Sequence, residues 1–231
     1  MSTSMSWQIQ IQLNEKLFLR DPASSEVGRG IVRQGAIMIE KMGLEDFTLK
    51  KLAIKLKTNE SSIYRYFENK HRLLLYLVDW YWRWIEYLVM VQTTNVKKAE
   101  DKIDLVLDIL MLDGEAEIAG GFEIDKHTLH QLVIKEGSKA YLTNHVTEDN
   151  KQQLFKPYKD LCARIATILQ ELNPSYKYAR SLTSTVIEMA HYQYFFMHNL
   201  PRLTDFGQAK DVREIKAFLR HLIMAALKEK S

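Results

Sequence analysis

The strongest chemical feature of the sequence is a basic stretch. Residues 48–72 contain seven basic side chains against two acidic ones, whereas the whole chain has a net charge of only +3. The seven are Lys50, Lys51, Lys55, Lys57, Arg65, Lys70 and Arg72. A local excess of positive charge is what a polyanion such as nucleic acid binds. A solvated helix face gives the same charge pattern, so charge alone leaves both interpretations open.

A second group of residues has the spacing of metal ligands. Glu123, His127 and His130 fall at i, i+4 and i+7, which on a helix presents one carboxylate and two imidazoles on one face. No cysteine or further acidic cluster joins them, so an ordinary histidine pair is the favoured interpretation. We expect no metal and no other cofactor, and keep a metal-binding helical protein as an alternative.

The sequence lacks the motifs of common enzymes. It has no Gly-rich phosphate loop, no Gly-x-Ser-x-Gly elbow and no His-Glu-x-x-His. The single cysteine, Cys162, lies in an apolar helical stripe, where a thiol is usually inert. It cannot form an internal disulfide, which fits a reducing compartment. No apolar run reaches the ~18 residues of a membrane span and the first residues lack a signal-peptide pattern, so we expect a cytoplasmic protein that is not an enzyme.

The elements that would position the basic stretch are helices. Apolar residues recur at helical spacing from Glu26 onward, which predicts an all-α fold. A first amphipathic helix is expected to end at Gly43, and Thr48 can cap a short second helix. Asn59 can cap a third helix over residues 60–67, and Lys70 opens a long helix. Three short helices followed by a long one are typical of a helix-turn-helix joined to a second helical body.

The N-terminus departs from this helical pattern. Trp7, Ile9, Ile11 and Leu13 alternate with polar residues at period two, which is strand spacing. A small hairpin, an arm on a neighbouring surface and a disordered tail all remain open.

The residues of the helix-turn-helix are specific enough to suggest a family. A short helix containing Ala53 is followed by Tyr64-x-x-Phe67-x-x-Lys70, and the preceding helix carries Ala36 and Gly43. Over about residues 27–78 the chain resembles the tetracycline repressor (TetR) family of bacterial transcription regulators. The resemblance implies an N-terminal three-helix DNA-binding domain, joined by a long helix to a C-terminal helical domain for ligand binding and dimerisation. We expect an extension at 1–25, the DNA-binding domain at 26–72 and the C-terminal domain at 73–231.

Positions within the family's motif imply roles for single residues. The sequence readers implied are Lys50, Glu60, Ser61, Ser62 and Tyr64, and the phosphate contacts implied are Thr48 and Lys70. Short polar side chains from Asn59 onward would let the third helix enter the major groove with its N-terminal end first. Glu60 would repel phosphate, so we predict that it accepts a hydrogen bond from a cytosine amino group. Lys57-Thr58 stands where the family usually has Gly-Val, so the turn lacks the common left-handed glycine.

The C-terminal two thirds yield predictions about dimerisation and an effector. Helices over about 175–199 and 208–229 are expected to form a four-helix bundle with a second copy. The dimer residues we expect are Leu182, Val186, Ile215, Leu219, Leu222 and Ala226. The aromatic run 80–84 predicts either a pocket for an apolar effector or a helix packed on two sides. The candidate pocket residues are Trp80, Trp84, His127, His130, His191 and Phe195.

These features predict a homodimeric DNA-binding regulator, most simply a repressor that a small-molecule effector releases from double-stranded operator DNA. The alternatives are a helical interaction module without specific DNA binding and the metal-binding protein described above.

Overall fold

A computed structural model describes residues 12–112, 122 and 124–228 of the chain. In these ranges every regular element is helical and no strand occurs, which confirms the all-α fold class. The helices are α1 (Glu26–Asp46), α2 (Leu49–Lys55), α3 (Glu60–Tyr64), α4 (Lys70–Thr93), α5 (Ala99–Leu110), α6 (Lys126–Glu136), α7 (Ser138–Tyr141), α8 (Val146–Lys151), α9 (Lys156–Leu172), α10 (Ala179–Asn199) and α11 (Val212–Lys228). Short 3-10 helices span Glu15–Leu17, Pro22–Ser24 and Pro201–Leu203. No helix in the described ranges is long and apolar enough to cross a bilayer.

The chain divides into two compact units. Among the described residues, unit 1 comprises 12–84, 122 and 124–156, and unit 2 comprises 85–112 and 157–228. Helix α4 contributes residues to both. The compact unit around the helix-turn-helix therefore also contains α6, α7 and α8. The functional boundary at residue 72 stays a prediction.

Side-chain caps fix the starts of the first three helices in unit 1. Ser25 accepts from the Gly28 N–H, Thr48 from the Lys51 N–H and Asn59 from the Ser62 N–H. Each cap satisfies a backbone donor that the helix itself leaves without a partner. The caps predicted at Thr48 and Asn59 are thus present. Gly43 has the non-helical angles φ 76° and ψ 160°, so the regular helix is interrupted at the predicted glycine, and helical residues continue beyond the kink to Asp46.

Helices α2 and α3 pack around a small apolar centre. Leu52, Ile63 and Phe67 are fully buried, and Ala53 is 4% exposed. The turn between the helices is closed by a hydrogen bond from the Thr58 N–H to the Ala53 carbonyl at 3.0 Å. Helix α3 ends at Tyr64, three residues earlier than the sequence pattern predicts. The apolar side of this helix is thereby fixed inside the unit, which leaves its other side to solvent.

Residues 14–25, here named the N-terminal strap, pack on this three-helix group. Leu17 is fully buried, and the Phe18 ring meets the Tyr76 ring edge to face at 6.0 Å. Pro22 passes so close to α1 that a Cβ atom built on Gly28 would lie 2.7 Å from its Cα. The period-two residues 7–11 lie outside the described ranges. Within the strap no strand occurs and residues 15–17 form a 3-10 turn, so the described part of the N-terminus gives the hairpin interpretation no support.

Helices α6 and α8 complete unit 1. Lys135 of α6 pairs with Glu40 of α1 at 2.7 Å. The Tyr81 hydroxyl of α4 lies 2.8 Å from His130 Nδ1 of α6, with both side chains buried. Arg72, near the start of α4, pairs with the buried Asp149 of α8 at 3.2 Å. Ionic and hydrogen-bonded contacts therefore connect α1 and α4 to α6 and α8.

Unit 2 is a helical bundle built from the end of α4 together with α5, α9, α10 and α11. Helix α11 buries a stripe with four-residue spacing, consisting of Ile215, Leu219, Ile223 and Leu227. Polar contacts tie it to α5, from Arg220 to Asp104 at 2.8 Å and from Lys216 to Asp108. Pro157 lies in the first turn of α9, where its missing N–H costs nothing. Helices α10 and α11 each begin four residues later than expected.

Candidate nucleic-acid interface

The polar edge of α3 faces solvent. Asn59, Ser61 and Tyr64 are exposed, and Glu60 and Ser62 are half-buried. Ile63, on the opposite side, is fully buried. A short helix with a fixed apolar side and an open polar N-terminal edge has the shape of a major-groove reader.

Asn59 organises this edge through one atom. Its Oδ1 accepts from the Ser62 N–H at 2.8 Å and from the hydroxyls of Ser61 and Ser62, both at 2.7 Å. With their protons directed to Asn59, the two serine oxygens keep lone pairs that can accept from base amino groups. In this arrangement the N-terminal edge of α3 offers hydrogen-bond acceptors.

Glu60 adds a carboxylate to the same edge. Its Oε1 accepts a long hydrogen bond from the Tyr64 hydroxyl, one turn later, at 3.4 Å. Tyr64 is 46% exposed, which leaves its ring and hydroxyl accessible beside Glu60. A carboxylate at this edge can accept a hydrogen bond from the amino group of cytosine, and its negative charge repels phosphate.

The turn between α2 and α3 uses a lysine in the left-handed conformation. Lys57 adopts φ 53°, although a non-glycine residue there costs about 1–2 kcal/mol. The turn thus keeps the backbone shape that glycine would adopt without strain. The substitution of Lys57-Thr58 for the family's usual Gly-Val therefore changes the conformational cost and adds a positive charge.

The start of α2 places further candidate DNA contacts beside α3. Thr48 and Lys50 are exposed, as are Lys55, Lys57 and Arg65. The Thr48 Oγ1 is already the cap acceptor for Lys51, while its hydroxyl proton remains to donate to a phosphate oxygen. The exposed surface of α2, the turn and α3 is consequently basic around the acceptor edge of α3.

Lys70 has partners that the sequence did not reveal. Its ammonium donates to the carbonyl oxygens of Leu44 at 2.7 Å, Glu45 at 3.1 Å and Phe47 at 3.2 Å. These carbonyls lie at the end of α1, immediately before the Thr48 cap. The phosphate contact predicted for Lys70 stays a prediction, and in this arrangement its three N–H donors are already occupied.

Tyr66 is a residue that sequence reasoning missed. It lies two residues beyond α3, is 4% exposed and is contacted by the N-terminal strap through its carbonyl, ring and hydroxyl. Only its position in an aromatic run signals a structural role, and the strap partners come from more than forty residues earlier in the chain.

The predicted pocket residues fall in different environments. In unit 1, Trp80, Trp84 and His130 are buried, whereas His127 is exposed. In unit 2, His191 is buried and Phe195 half-buried. Burial lowers the pKa of His191 to about 4, so this imidazole is neutral at pH 7.

The sequence left two interpretations of the aromatic run 80–84, an effector pocket and a helix packed on two sides. The buried positions of Trp80, Trp82 and Trp84 agree with the second.

Asp79 is a buried carboxyl group on α4. The side chain is 2% exposed, and its Oδ2 has no hydrogen-bond partner among the described residues. Burial raises the pKa of Asp79 to about 8, although the positive charge of Arg83 acts in the opposite direction. The group is mainly protonated at pH 7 and can donate a hydrogen bond.

The predicted dimer residues are largely internal. Ile215 and Leu219 are fully buried within the chain, Val186 is 3% exposed and Leu182 is 9% exposed. These four side chains could contact a second copy only if unit 2 unpacked. Leu222 and Ala226 are half-buried, so part of each side chain reaches the surface. The outer faces carry other apolar residues, including Tyr192 at 47% and Phe218 at 37% exposure.

The metal-binding alternative gains no support from the described residues. His127 is exposed, and the Nδ1 atom of the buried His130 lies within hydrogen-bonding distance of Tyr81. Glu123 lies outside the described ranges. Within those ranges no three or more His, Cys, Asp or Glu side chains are grouped to hold a metal ion.

Comparison with known proteins supports the interpretation of the N-terminal helices. Residues 31–77 match the family model for bacterial regulatory proteins of the tetR family. Among solved structures, the chain is similar to the fatty acid degradation regulator FadR from Bacillus halodurans, with a TM-score of 0.60 and 13% sequence identity. That similarity covers 89% of this chain and 99% of the other, and at this identity it concerns the fold alone. No curated protein matches the sequence.

A helix-turn-helix with an exposed polar edge, on an all-helical chain with a helical C-terminal region, defines a DNA-binding transcriptional regulator. The match to the tetR family model covers residues 31–77, the segment in which the sequence motif lies.

Proposed function

We propose that the protein is a cytoplasmic, homodimeric repressor that a small-molecule effector releases from its operator. The observation that carries the proposal is the exposed polar edge of α3 opposite the buried Ile63. Both features are needed for a helix that reads DNA, because the buried side fixes its direction while the polar side meets the bases.

In the proposed complex α3 enters the major groove with its N-terminal end first. Glu60, Ser61 and Ser62 contact base edges there, and Lys50 and Tyr64 contact bases from either side. Because the serine hydroxyls and the Glu60 carboxylate present acceptors, the half-site should contain bases with exposed amino groups, namely cytosine or adenine.

Phosphate contacts hold this position on the duplex. Thr48 and the exposed lysines around the turn contact phosphate oxygens, and the first turn of α2 adds backbone N–H groups. Lys70 joins them only by exchanging one carbonyl partner for a phosphate. Its main contribution is to hold the end of α1, and with it Thr48, in place.

Dimerisation is proposed through the outer faces of α10 and α11. Tyr192 stacks on Phe196 with an interplanar angle of 23°, and both contribute to an apolar outer face on α10. On α11, Phe218 is exposed and Leu222 is half-buried. Pairing these faces around a two-fold axis would bury apolar area and present two reading helices to successive major grooves.

Release is proposed to follow from a shift in α4. This helix carries Lys70 at its start and the aromatic run, Asp79 and Tyr81 further along. Trp80, Trp84 and the Tyr81–His130 pair are buried, so an effector would bind there only in a state in which this packing opens. Binding would favour that state, in which α4 tilts and the two reading helices lose their spacing. The protein similar in structure regulates fatty acid degradation, so fatty acids are the first compounds to test.

The decisive experiment is selection of bound sequences from random DNA by the purified protein. We expect a near-palindromic site with half-site centres about 34 Å apart, and binding that weakens steeply with salt. Replacement of the exposed Lys55 by Ala, beside the turn, should reduce the salt slope by about 1, and replacement of Lys97 by Ala, in unit 2, should leave it unchanged. Absence of any enriched sequence would favour the interaction module instead.

A further inference from the structure

The N-terminal strap contacts Tyr66 at three separate places. The Leu19 N–H donates to the Tyr66 carbonyl at 2.8 Å. The Arg20 guanidinium lies 5.5 Å from the centre of the Tyr66 ring, and Ser25 Oγ lies 2.8 Å from the Tyr66 hydroxyl. Backbone, ring and hydroxyl of one residue are thus all held by the segment that precedes α1.

The strap is itself anchored in unit 1. Leu17 is fully buried, and the Asn14 side-chain amide donates to the Gln152 carbonyl, just after α8, at 2.8 Å. Asn14 and Asp21 each accept a backbone N–H two residues later, which rigidifies the two turns of the strap. The partners of Tyr66 therefore belong to a segment with a fixed path.

Helix α3 depends on such outside support for its direction. It has five helical residues, too few to be stable alone in water. Its buried side is held by Ile63, and its C-terminal end continues into Tyr66, whose N–H donates to the Ile63 carbonyl at 2.9 Å. The buried Ile63 and Phe67 hold the apolar side, and the strap adds the support for the backbone between them, at Tyr66.

We propose that the N-terminal strap is a positioning element for DNA reading and that Tyr66 is the residue through which it acts. The inference rests on the proposed role of α3 as the reader. Tyr66 is 4% exposed, so it has almost no surface with which to contact DNA itself. Its effect is to fix the direction in which Glu60, Ser61 and Ser62 point.

The test breaks the hydrogen bond between the strap and the Tyr66 carbonyl. Replacing Leu19 by Pro deletes the N–H that donates to this carbonyl and puts the ring Cδ in its place, so the strap must also move away from Tyr66. The Leu19 side chain lost is 59% exposed. Phe18 has φ −143° and ψ 158°, an extended conformation that a following proline favours. Replacing Leu19 by Ala removes the same side chain and keeps the N–H, so it is the matched control.

Two measurements are made on the full chain at a temperature where all three proteins are folded. Amide hydrogen exchange at residues 62–67 should be faster in the Pro variant than in the Ala variant and unchanged in α10 and α11. Affinity for the selected operator should fall at least about fivefold, because one ordinary hydrogen bond is lost and the proline ring also displaces the strap from Tyr66. The salt slope should not change, because no cation is removed.

Unchanged exchange at residues 62–67 overturns the inference whether or not the protein binds DNA. Faster exchange with operator affinity within twofold of the Ala variant also overturns it, since the strap would then support α3 without affecting reading. If the parent protein selects no DNA sequence, the proposed function fails, and the exchange result still decides whether the strap holds α3.

Discussion

The ammonium group of Lys70, the first residue of α4, donates a hydrogen bond to the Leu44 carbonyl oxygen near the end of α1 at 2.7 Å. Two further carbonyls, of Glu45 and Phe47, complete its partners. The lysine thereby joins the long helix to the segment that leads into Thr48 and α2. A movement at the start of α4 acts directly on the end of α1 through this contact.

Replacement of Lys70 by Ala should destabilise the protein and weaken its binding to operator and random DNA alike. Because the hydrogen bonds of the Lys70 ammonium are lost, the free energy of unfolding should decrease by about 1–3 kcal/mol, measured by urea denaturation. An unchanged unfolding midpoint would contradict the carbonyl contacts. A salt slope reduced by about 1 would show that Lys70 also contacts phosphate.

Replacement of Glu60 by Gln should change base preference more than affinity. A carboxylate accepts from the cytosine amino group, whereas the glutamine amide pairs with both adenine N6 and N7. Repeating the selection from random DNA should show cytosine replaced by adenine at one position of each half-site. An identical selected sequence would refute base contact by Glu60.

Replacement of Lys57 by Gly should stabilise the protein by about 1 kcal/mol or less. Glycine removes the strain of φ 53°, and the greater freedom of the unfolded chain offsets part of that gain. The control is Lys57→Ala, which removes the same charge and keeps the strain. Equal unfolding free energies for the two variants would show that the turn is not strained.

Replacement of Tyr192 by Glu should convert a dimer into monomers. The side chain is 47% exposed in the single chain, so a charge there disturbs an outer face without disrupting the core. Replacement by Phe keeps the ring and should keep the dimer. Sedimentation velocity gives the oligomeric state, and a dimer of unchanged stability in the Glu variant would exclude this face.

Stability should fall as pH rises, in part because of Asp79. Burial raises the pKa of Asp79 from its ordinary value of 3.8 to about 8, so the folded protein retains a proton that the unfolded chain loses. Between these pKa values folding takes up a proton, and stability decreases by up to about 1.4 kcal/mol per pH unit. An Asp79→Asn variant cannot ionise there and should gain stability over the parent protein as pH rises.

Urea denaturation at pH 5 and pH 8 tests this directly. The difference in unfolding free energy between the variant and the parent protein should be larger at pH 8. A difference that is equal at both pH values would show that Asp79 ionises in the folded protein as it does in the unfolded chain.

Sequence reasoning was most successful where a structure depends on nearby residues. The caps at Thr48 and Asn59 were predictable because each cap bond spans three residues. The start of α10 was misplaced for a local reason of another kind. Asn173 accepts from both the N–H and the hydroxyl of Ser175, which forms a turn where helix was expected.

Contacts between distant segments could not be predicted. The spacing of Ile215 and Leu219 shows that α11 has one apolar face, but periodicity does not tell whether that face meets the same chain or a second copy. The carbonyl partners of Lys70 lie 23–26 residues away and involve backbone atoms, which leave no trace in residue type. The contact of the strap with Tyr66 could not be predicted either, because the Leu19 N–H and the Tyr66 carbonyl are backbone atoms of distant residues.

The close approach of the Pro22 backbone to Gly28 restricts which residues evolution can place at position 28. A residue with a side chain at position 28 would collide with the Pro22 backbone, so alanine is excluded there as long as the strap follows its present path. Homologues that begin directly at α1 should be free of this restriction. Alanine or larger residues at the position equivalent to 28 would then identify relatives that orient their recognition helix without an N-terminal extension.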